Sequence, residues 1–333
     1  MSSETMGVSA GRRPRLSVIV RTTGSRPLGL SEALHSLSSQ SEPIHEVLLA
    51  VHSADPAALD AARAVASVGV QALAAKVSLL QVTAEGRAAP LNAGLEVATG
   101  DLVAFLDDDD VVDPDWASNF VAGAESAPGR VIRAWCRAVD VRSPRADEPG
   151  VFLVPVADEE ARYCDPFDLL SHLGANATPI CAWAVPRVAA AAAGLRFDEQ
   201  LEVLEDWDFL MRAVLVLGIH DTARTTSLYR FWVDGSASLG LGPEVWAAAR
   251  ERVLSRLDEM PLPPGMARRV SDLVLEARAS RAEVGALRVR AARADEMERS
   301  TIWRLTRPLR WVLDRLKRRG RRSDGEPKGS GFE

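Results

Sequence analysis

A run of four carboxylates is the most conspicuous group in the sequence that could carry chemistry. Asp107–Asp110 follows directly on the apolar stretch Leu102–Leu106. Adjacent carboxylates raise one another's pKa unless a cation compensates them. On an extended backbone Asp107 and Asp109 point to one side, and two carboxylates suit Mg²⁺ or Mn²⁺. The run therefore predicts a divalent metal site, and the alternative is a solvated acidic turn that begins the next helix.

A second acidic group lies about a hundred residues later, at Glu205, Asp206 and Asp208. The apolar residues around it keep helical spacing, with Trp207 on the stripe that faces the core. Asp206 is offset to another face, as a residue in a cleft must be. The alternative is that these acids only compensate the dipole in the first turn of a helix.

The elements that must position the first group alternate between strand and helix. Helical patterns separate four apolar runs, which are Leu16–Val20, Glu46–Val51, Lys76–Val82 and Leu102–Leu106. This order predicts an α/β fold with a mainly parallel sheet, in which ligands bind at the carboxyl ends of the strands. No glycine-rich dinucleotide or P-loop motif occurs, so those phosphate-binding classes are excluded.

Composition restricts the class of protein further. The 333 residues carry a net charge of −6. Basic residues near the C-terminal end are concentrated in one segment, which leaves the remainder of the chain acidic. The acidic body excludes a nucleic-acid partner. Three cysteines without CxxC spacing predict neither a disulfide framework nor a zinc site. With no apolar signal region at the N-terminus and no membrane-spanning run, we expect a cytoplasmic protein.

Domain boundaries follow from breaks in these patterns. Residues 1–14 and 323–333 are polar and are predicted to be disordered. A proline-rich breaker after residue 260 ends the main body. Residues 266–300 then carry a weak heptad repeat, which predicts a helical extension and allows a homodimer through it.

The segment 301–322 predicts a basic amphipathic helix. Between Thr301 and Ser323 it holds nine Arg or Lys residues and one acid, together with Trp303 and Trp311. An apolar stripe with basic flanks is typical of a helix lying on an anionic membrane, here the inner face of the plasma membrane. The alternative is a stripe that packs on the body or on a second subunit.

Three motifs in the correct order resemble those of family 2 glycosyltransferases. The first, LSVIVRTTGSRPLGLSEALHSLSSQ, resembles their first strand, loop and helix. The second, GRAAPLNAGLEVATGDLVAFLDDDD, resembles the signature that ends in F-L-D-x-D-D. The third, GLRFDEQLEVLEDWDFLMR, resembles their later F-D-E and E-D-W-D block. Together the three cover residues 15–235.

The resemblance implies a GT-A fold over residues 15–260, with a nucleotide-sugar-binding half at 15–115 and an acceptor-binding half at 116–260. It also implies an inverting, metal-dependent hexosyl- or deoxyhexosyltransferase. Such an enzyme moves a sugar from a nucleoside-diphosphate donor to a hydroxyl of a glycan or lipid-linked acceptor, and the implied setting is cell-surface polysaccharide synthesis.

Carried over residue by residue, the resemblance implies specific roles. Asp206 matches the general base, with Glu205 as the next candidate. Asp107 and Asp109 match the metal contacts, with Mn²⁺ or Mg²⁺ as cofactor. The donor-binding candidates are Arg21, Thr22, Asn92, Asp107, Asp108 and Asp109, and the candidates for stacking on acceptor sugars are Trp183 and Trp207.

Three positions depart from the family pattern. His52 lies in the stretch where the family commonly has an Asp that contacts the nucleobase. Pro90-Leu91-Asn92 stands in place of A-R-N. Trp232 occupies the position where the family often has a metal-binding His, so a metal would depend on Asp109, phosphates and water.

These departures leave two other functions open. One is a non-catalytic scaffold that keeps a GT-A body, which the missing Asp and His favour and the retained acidic motifs oppose. The other is a nucleotidyltransferase, which usually needs a glycine-rich basic loop after the first strand. Arg21-Thr22-Thr23-Gly24 is only a weak version of that loop.

Overall fold

The structure is a computed structural model that describes residues 12–69, 76–148, 150–234, 240–260 and 266–299. The predicted basic segment 301–322 and the predicted disordered end at 323–333 lie outside these residues. Nearly all of the predicted disordered N-terminus does so too. The chain divides into two units, residues 1–274 and 275–333.

The first half of the sheet follows the alternation seen in the sequence. Four parallel strands lie in the order β3-β2-β1-β4, namely β1 (Leu16–Thr22), β2 (Glu46–His52), β3 (Lys76–Val82) and β4 (Leu102–Asp107). They are connected by α1 (Pro27–Ser38), α2 (Pro56–Gly69) and α3 (Ala89–Val97). β1 and β4 are almost fully buried because helices cover both faces of this sheet.

The second half extends the same sheet with mixed strand directions. Its elements in chain order are β5 (Val111–Val112), α4 (Trp116–Ser126), β6 (Val131–Arg142), β7 (Val154–Pro155), β8 (Glu160–Tyr163), α5 (Leu169–Gly174), β9 (Trp183–Pro186), α6 (Arg187–Ala192), α7 (Glu205–Leu217) and β10 (Ile219–Trp232). Beyond β4 the order is β9-β6-β10-β5, with β10 parallel to β6 and β9 antiparallel to both neighbours. The predicted α/β fold with a mainly parallel sheet is confirmed.

The sequence predicts a last strand around Thr226–Val233, and β10 is longer than this stretch. The structure begins it at Ile219, and its register against β6 shifts between Asp221 and Thr225. Ala223 has a positive φ of 51° within this irregular stretch. A bulge of this kind breaks the alternation of polar and apolar residues, so the first part of β10 shows no strand pattern in the sequence.

Two further helices complete the described chain. In α8 (Pro243–Asp258), Val253 and Leu257 are buried in one cluster with Trp207 and Met211 of α7. α9 (Met266–Arg299) begins in the first unit, where Ala267 joins the same cluster, and its residues from 275 onward belong to the second unit. Within the described ranges, no helix is both long and apolar enough to cross a membrane. A homodimer through 266–300 stays a prediction.

Candidate functional site

A cleft with two connected chambers opens at the carboxyl ends of β1 and β4. The large chamber has a volume of about 310 Å³, and its lining includes Arg26, Asp109, Arg230 and Trp232. The small chamber has a volume of about 190 Å³, and its lining includes Asn176, Asp206 and Trp246. The two chambers share Arg21, Arg87, Asp107 and Tyr229. Both acidic groups of the sequence therefore contribute to one cleft.

Arg21 and Asp107 form the wall between the chambers. They are register partners at the ends of β1 and β4, so adjacent strands bring them together. The Arg21 guanidinium donates two hydrogen bonds to the Asp107 carboxylate, at 2.8 and 2.7 Å. Burial alone would raise the pKa of Asp107, but the Arg21 charge outweighs it and holds this pKa below its ordinary value.

Arg21 also binds the second acidic group. Its Nη1 atom donates to Glu205 Oε1 at 2.7 Å, and Arg87 Nε donates to the same oxygen at 3.2 Å. Burial opposes ionisation of Glu205, yet the two guanidinium groups lower its pKa. A carboxylate held by two cations is a poor proton acceptor. The structure therefore makes Glu205 a counter-ion that positions Arg21, and it does not support Glu205 as an alternative base.

Asp206 has different surroundings from Glu205, although the two are neighbours at the start of α7. Asn176 Nδ2 donates to Asp206 Oδ2 at 2.9 Å, and the backbone N–H of Trp207 donates to Oδ1 at 2.8 Å. No cation pairs with it in the hydrogen bonds and ion pairs of the described chain. Burial and the adjacent Glu205 charge raise the pKa of Asp206 to about 6.

The backbone before α7 turns Asp206 towards the cleft. Leu204 adopts the left-handed conformation, with φ of 65°, immediately before the helix begins. A non-glycine residue in that region is strained and persists only where its surroundings fix it. The turn places Glu205 against Arg21 while Asp206 lines the small chamber.

The acidic run departs from the strict alternation that an extended backbone predicts. β4 ends at Asp107, and Asp108 and Asp109 lie in the turn that follows. Asp107, Asp108 and Asp109 consequently all line the large chamber, whereas Asp110 does not. Because the strand ends one residue into the run, the predicted division into two faces is wrong.

Asp108 and Asp110 are buried acids; Arg26 Nη1 lies 3.6 Å from Asp108 Oδ1, and Asp110 forms no ion pair within the described part of the chain. Thr22 Oγ1 donates to Asp108 Oδ2 at 2.5 Å, and burial and the Asp109 charge raise the pKa of Asp108 to about 7. The Arg230 backbone N–H donates to Asp110 Oδ1 at 2.9 Å. Burial and the Asp109 charge raise the pKa of Asp110 well above its ordinary value. The acidic run therefore carries less negative charge at pH 7 than its four carboxylates suggest.

Asp109 is held by two donors from different elements. Arg26 Nη1 donates to Asp109 Oδ2 at 2.7 Å, and Trp232 Nε1 donates to the same oxygen at 2.9 Å. The Arg26 guanidinium also lies over the Trp232 ring, with its carbon 4.8 Å from the ring centroid. These three side chains form a closed arrangement, which we call the Arg26 clamp.

Three of the four carboxylate oxygens of Asp107 and Asp109, the predicted metal ligands, already accept hydrogen bonds in this arrangement. Both oxygens of Asp107 accept from Arg21, and Oδ2 of Asp109 accepts two hydrogen bonds. An indole N–H is a donor only and cannot ligate a metal. The described part of the chain contains no group of three His, Cys, Asp or Glu side chains that could hold an ion. The predicted cation at Asp107 and Asp109 therefore finds no support in the donor set.

Three of the predicted ligand-binding residues lie away from the cleft. Asn92 is buried, and its amide joins α3 to the Phe197 backbone and to Glu199. Trp183 is fully buried, and its ring lies 4.8 Å from that of Phe105. Neither residue lines a chamber, so their assignments to the donor and the acceptor are corrected to core roles.

Trp207 requires the same correction. Its side chain is buried, and its Nε1 atom donates to the His172 backbone carbonyl at 2.7 Å. The tryptophan that does line the small chamber, together with Tyr163 and Tyr229, is Trp246, near the start of α8, with 38% of its surface exposed. Trp246 had no motif around it in the sequence, and only the packing of α8 beside α7 brings it to the cleft.

Sequence reasoning also missed Arg26, Arg87 and Asn176. Arg26 lies just before α1, which begins at a proline, and Arg87 lies just before α3, which begins at an alanine. At both positions the sequence pattern indicates only the start of a helix. Asn176 lies in a loop after α5 without any regular pattern. For Arg26 and Arg87 the one available signal was their position beside recognised motifs, since Arg26 follows the first strand and Arg87 follows Gly86.

Comparison with known proteins agrees with the observed fold. Residues 17–147 match the family model described as glycosyl transferase family 2. No curated protein matches the chain. Among solved structures, TarS 1-349 from S. aureus is 18% identical over 77% of this chain and 69% of that chain, with a TM-score of 0.55.

The same S. aureus protein has also been solved with ligands. TarS 1-349 in complex with UDP is 18% identical over 78% of this chain and 70% of that chain, with a TM-score of 0.55. Its complex with UDP-GlcNAc is 19% identical over 78% of this chain and 71% of that chain, with a TM-score of 0.57. At this identity the likeness establishes a shared fold.

Proposed function

We propose that this chain, whose residues 17–147 match the model of glycosyl transferase family 2, transfers a sugar from a nucleoside-diphosphate donor to an acceptor hydroxyl with inversion. The large chamber takes the donor and the small chamber takes the acceptor. The observation that carries this proposal is the placement of Asp206, a carboxylate without a cation, in the chamber next to one lined by four arginines.

The large chamber suits a nucleoside diphosphate because of its cations. Its lining includes Arg21, Arg26, Arg87 and Arg230. Guanidinium groups bind phosphate oxygens through several parallel N–H donors. That TarS has been solved with UDP and with UDP-GlcNAc supports the same class of donor here.

The small chamber suits an acceptor because it holds a proton acceptor and an aromatic ring. Asp206, with its pKa of about 6, is largely ionised at pH 7 and is a stronger base than an ordinary aspartate. The acceptor oxygen attacks the anomeric carbon and its proton passes to Asp206. The bond between that carbon and the diphosphate breaks, and the negative charge develops in the large chamber.

Inversion follows from the opposed positions of these two functions. The base lies on the small-chamber side of the Arg21–Asp107 wall, whereas Arg26 and Arg230 line the large chamber alone. Attack from one side with departure to the other inverts the anomeric carbon. The proposal assigns no step to a divalent cation.

The biological setting of the reaction is the broadest part of the proposal. We infer a glycan or lipid-linked acceptor in cell-surface polysaccharide synthesis, with a hexose or deoxyhexose as the sugar. The basic segment 301–322 would hold the enzyme at the inner face of the plasma membrane. Support comes from the family domain and from the charge pattern of that segment alone.

Release of nucleoside diphosphate from a panel of UDP-, dTDP- and GDP-sugars tests the function. We expect turnover with one nucleotide class and its loss in Asp206→Asn, while the exposed control Asp60→Asn keeps wild-type turnover. A protein that binds nucleotide but neither hydrolyses nor transfers any sugar would favour the non-catalytic scaffold. Release of pyrophosphate from a nucleoside triphosphate and sugar phosphate would favour a nucleotidyltransferase.

A further inference from the structure

We infer that Arg26 replaces a divalent cation at the donor diphosphate, so that donor binding in this chain is independent of metal. The inference rests on the proposed function, because it concerns the same chamber. It is carried by the Arg26 clamp, in which Asp109 and Trp232 hold one guanidinium group at the edge of the large chamber.

The clamp fixes the position of a permanent positive charge. Asp109 Oδ2 accepts from both Arg26 and Trp232, and the indole face supports the guanidinium from a second direction. A cation over an indole ring is stabilised by the ring quadrupole. Because the guanidinium is covalently part of the chain, this cation cannot dissociate from the site as a bound metal ion can.

Arg26 keeps donors available for a ligand. Within the described part of the chain its polar contacts involve Nη1 alone, to Asp109 at 2.7 Å and to Asp108 at 3.6 Å. The guanidinium has five N–H donors in a planar fork. Its side chain is 26% exposed and lines the chamber, so the remaining donors can meet phosphate oxygens.

The fold brings Arg26 to this point through a close helix approach. Arg26 is the residue that precedes α1, and Gly29 lies in the first turn of that helix. A Cβ atom at Gly29 would come within 2.6 Å of the Asp108 carbonyl oxygen and within 2.4 Å of the Phe152 ring. The missing side chain therefore lets α1 begin against the acidic run, which places Arg26 beside Asp109.

The large chamber offers a diphosphate guanidinium donors rather than an excess of positive charge. Four guanidinium groups line it, against the carboxylates of Asp107, Asp108 and Asp109. Asp107 is already neutralised by Arg21, and Asp108 has a pKa of about 7. Arg26, Arg87 and Arg230 also pair with carboxylates, namely Asp109, Glu205 and Glu32, so these guanidinium groups meet the two phosphates through their remaining N–H donors.

The deciding experiment is calorimetric titration of the full chain with UDP, dTDP and GDP, in EDTA and in Mn²⁺. For the nucleotide that binds, we expect the two dissociation constants to agree within about threefold. Arg26→Ala should weaken binding roughly tenfold to hundredfold in both buffers, the range of a hydrogen bond to a charged group. The exposed control Arg63→Ala should match the wild type.

Two further variants keep the test decisive. Arg26→Gln retains an amide donor for Asp109 without the charge, and it should lose as much affinity as Arg26→Ala. Trp232→His exchanges a donor for a side chain that can ligate metal, and it should gain a Mn²⁺ response that the wild type lacks. Circular dichroism melting shows which variants are folded.

The possible failures are distinguishable. Wild-type binding that requires Mn²⁺, or improves more than tenfold with it, would overturn the role of Arg26 and leave the glycosyltransferase proposal standing. Unchanged affinity in a folded Arg26→Gln protein would do the same. Absence of binding by every nucleotide in both buffers would contradict the inference and the proposed function together.

Discussion

The cleft holds buried carboxylates that pair with an arginine beside one, Asp206, that pairs with none in the described part of the chain. In the wall and in the large chamber, Asp107 and Asp109 each accept hydrogen bonds from an arginine. In the small chamber, the donors to Asp206 within the described part of the chain are an amide and a backbone N–H, and its pKa rises to about 6. Glu205, one residue earlier, is bound by two guanidinium groups, and its pKa falls.

The contrast between Glu205 and Asp206 shows what distinguishes a counter-ion from a base. Both lie in the first turn of α7 and share the same helix dipole. Burial raises the pKa of each carboxylate. Contact with Arg21 and Arg87 outweighs burial at Glu205 and lowers its pKa below the ordinary value. The position of two guanidinium groups therefore decides which carboxylate can accept a proton.

Removal of the base should have the largest effect. Asp206→Asn keeps the shape and the Trp207 N–H contact but cannot accept a proton. Transfer should fall roughly 10²–10⁴-fold, the usual contribution of a general base. Nucleotide affinity should stay near that of the wild type, because the arginines of the large chamber are untouched.

Turnover and nucleoside diphosphate titration of the same preparation check this prediction. Asp60→Asn, which removes an equal charge on exposed α2, is the control. Turnover near the wild-type level in Asp206→Asn would show that the proton goes to another group. A joint loss of turnover and nucleotide affinity would break the division between the chambers.

Removal of the shared cation should damage stability as well as binding. Arg21→Met leaves Asp107 and Glu205 buried without their main partner, and loss of one member of a buried pair costs about 3–5 kcal/mol. Urea unfolding at pH 7 measures this difference, with Arg63→Met as the exposed control.

The pH dependence of Arg21→Met sharpens the same point. The folded pKa values of Asp107 and Glu205 lie below their ordinary values of 3.8 and 4.5. Their contribution to stability is therefore present above the unfolded pKa values and is lost as pH falls below about 4. In the variant, burial keeps these acids protonated to higher pH. The difference in free energy of unfolding between wild type and variant should therefore become smaller as the pH is lowered from 7 to 4. A deficit that stays constant with pH would contradict the electrostatic explanation.

Trp246 should contribute a smaller, acceptor-specific effect. Trp246→Ala removes the exposed ring of the small chamber, and an aromatic contact of this kind is worth about 0.5–1.5 kcal/mol. The acceptor KM should rise roughly two- to tenfold while the donor KM is unchanged. Phe231→Ala, which removes a ring of similar exposure outside both chambers, should leave both constants unaltered. An increase in the donor KM instead would place Trp246 on the donor side.

Asn176 should produce the smallest change, visible mainly in a pH profile. Its amide stabilises the ionised form of Asp206, so Asn176→Ala should raise that pKa further above about 6. Since the base must be ionised, kcat/KM falls on the acid side of this pKa, and the variant should lose activity at a higher pH than the wild type. The exposed control Gln200→Ala should keep the wild-type profile, and an unshifted Asn176→Ala profile would exclude Asn176 as a positioning residue.

The regular elements and the motifs were predictable from the sequence because they depend on local pattern. Four apolar runs separated by helical stretches predicted the parallel half of the sheet, and Asp107 and Asp206 were recognised from motifs of adjacent residues. The irregular part of β10 was missed, since a bulge erases the alternation on which strand prediction depends.

The sequence by itself determined the fold class and the acidic groups at the cleft, since hydrophobic periodicity and short motifs are properties of neighbouring residues. Tertiary structure alone decided what each acidic group does. The partners of Asp107, Asp109 and Glu205 are arginines between 83 and 184 residues away. It likewise buried Trp183 and Trp207 in the core and exposed Trp246 in the cleft. A pKa, a salt bridge or an exposed ring depends on which side chains meet in space, and no local pattern records that.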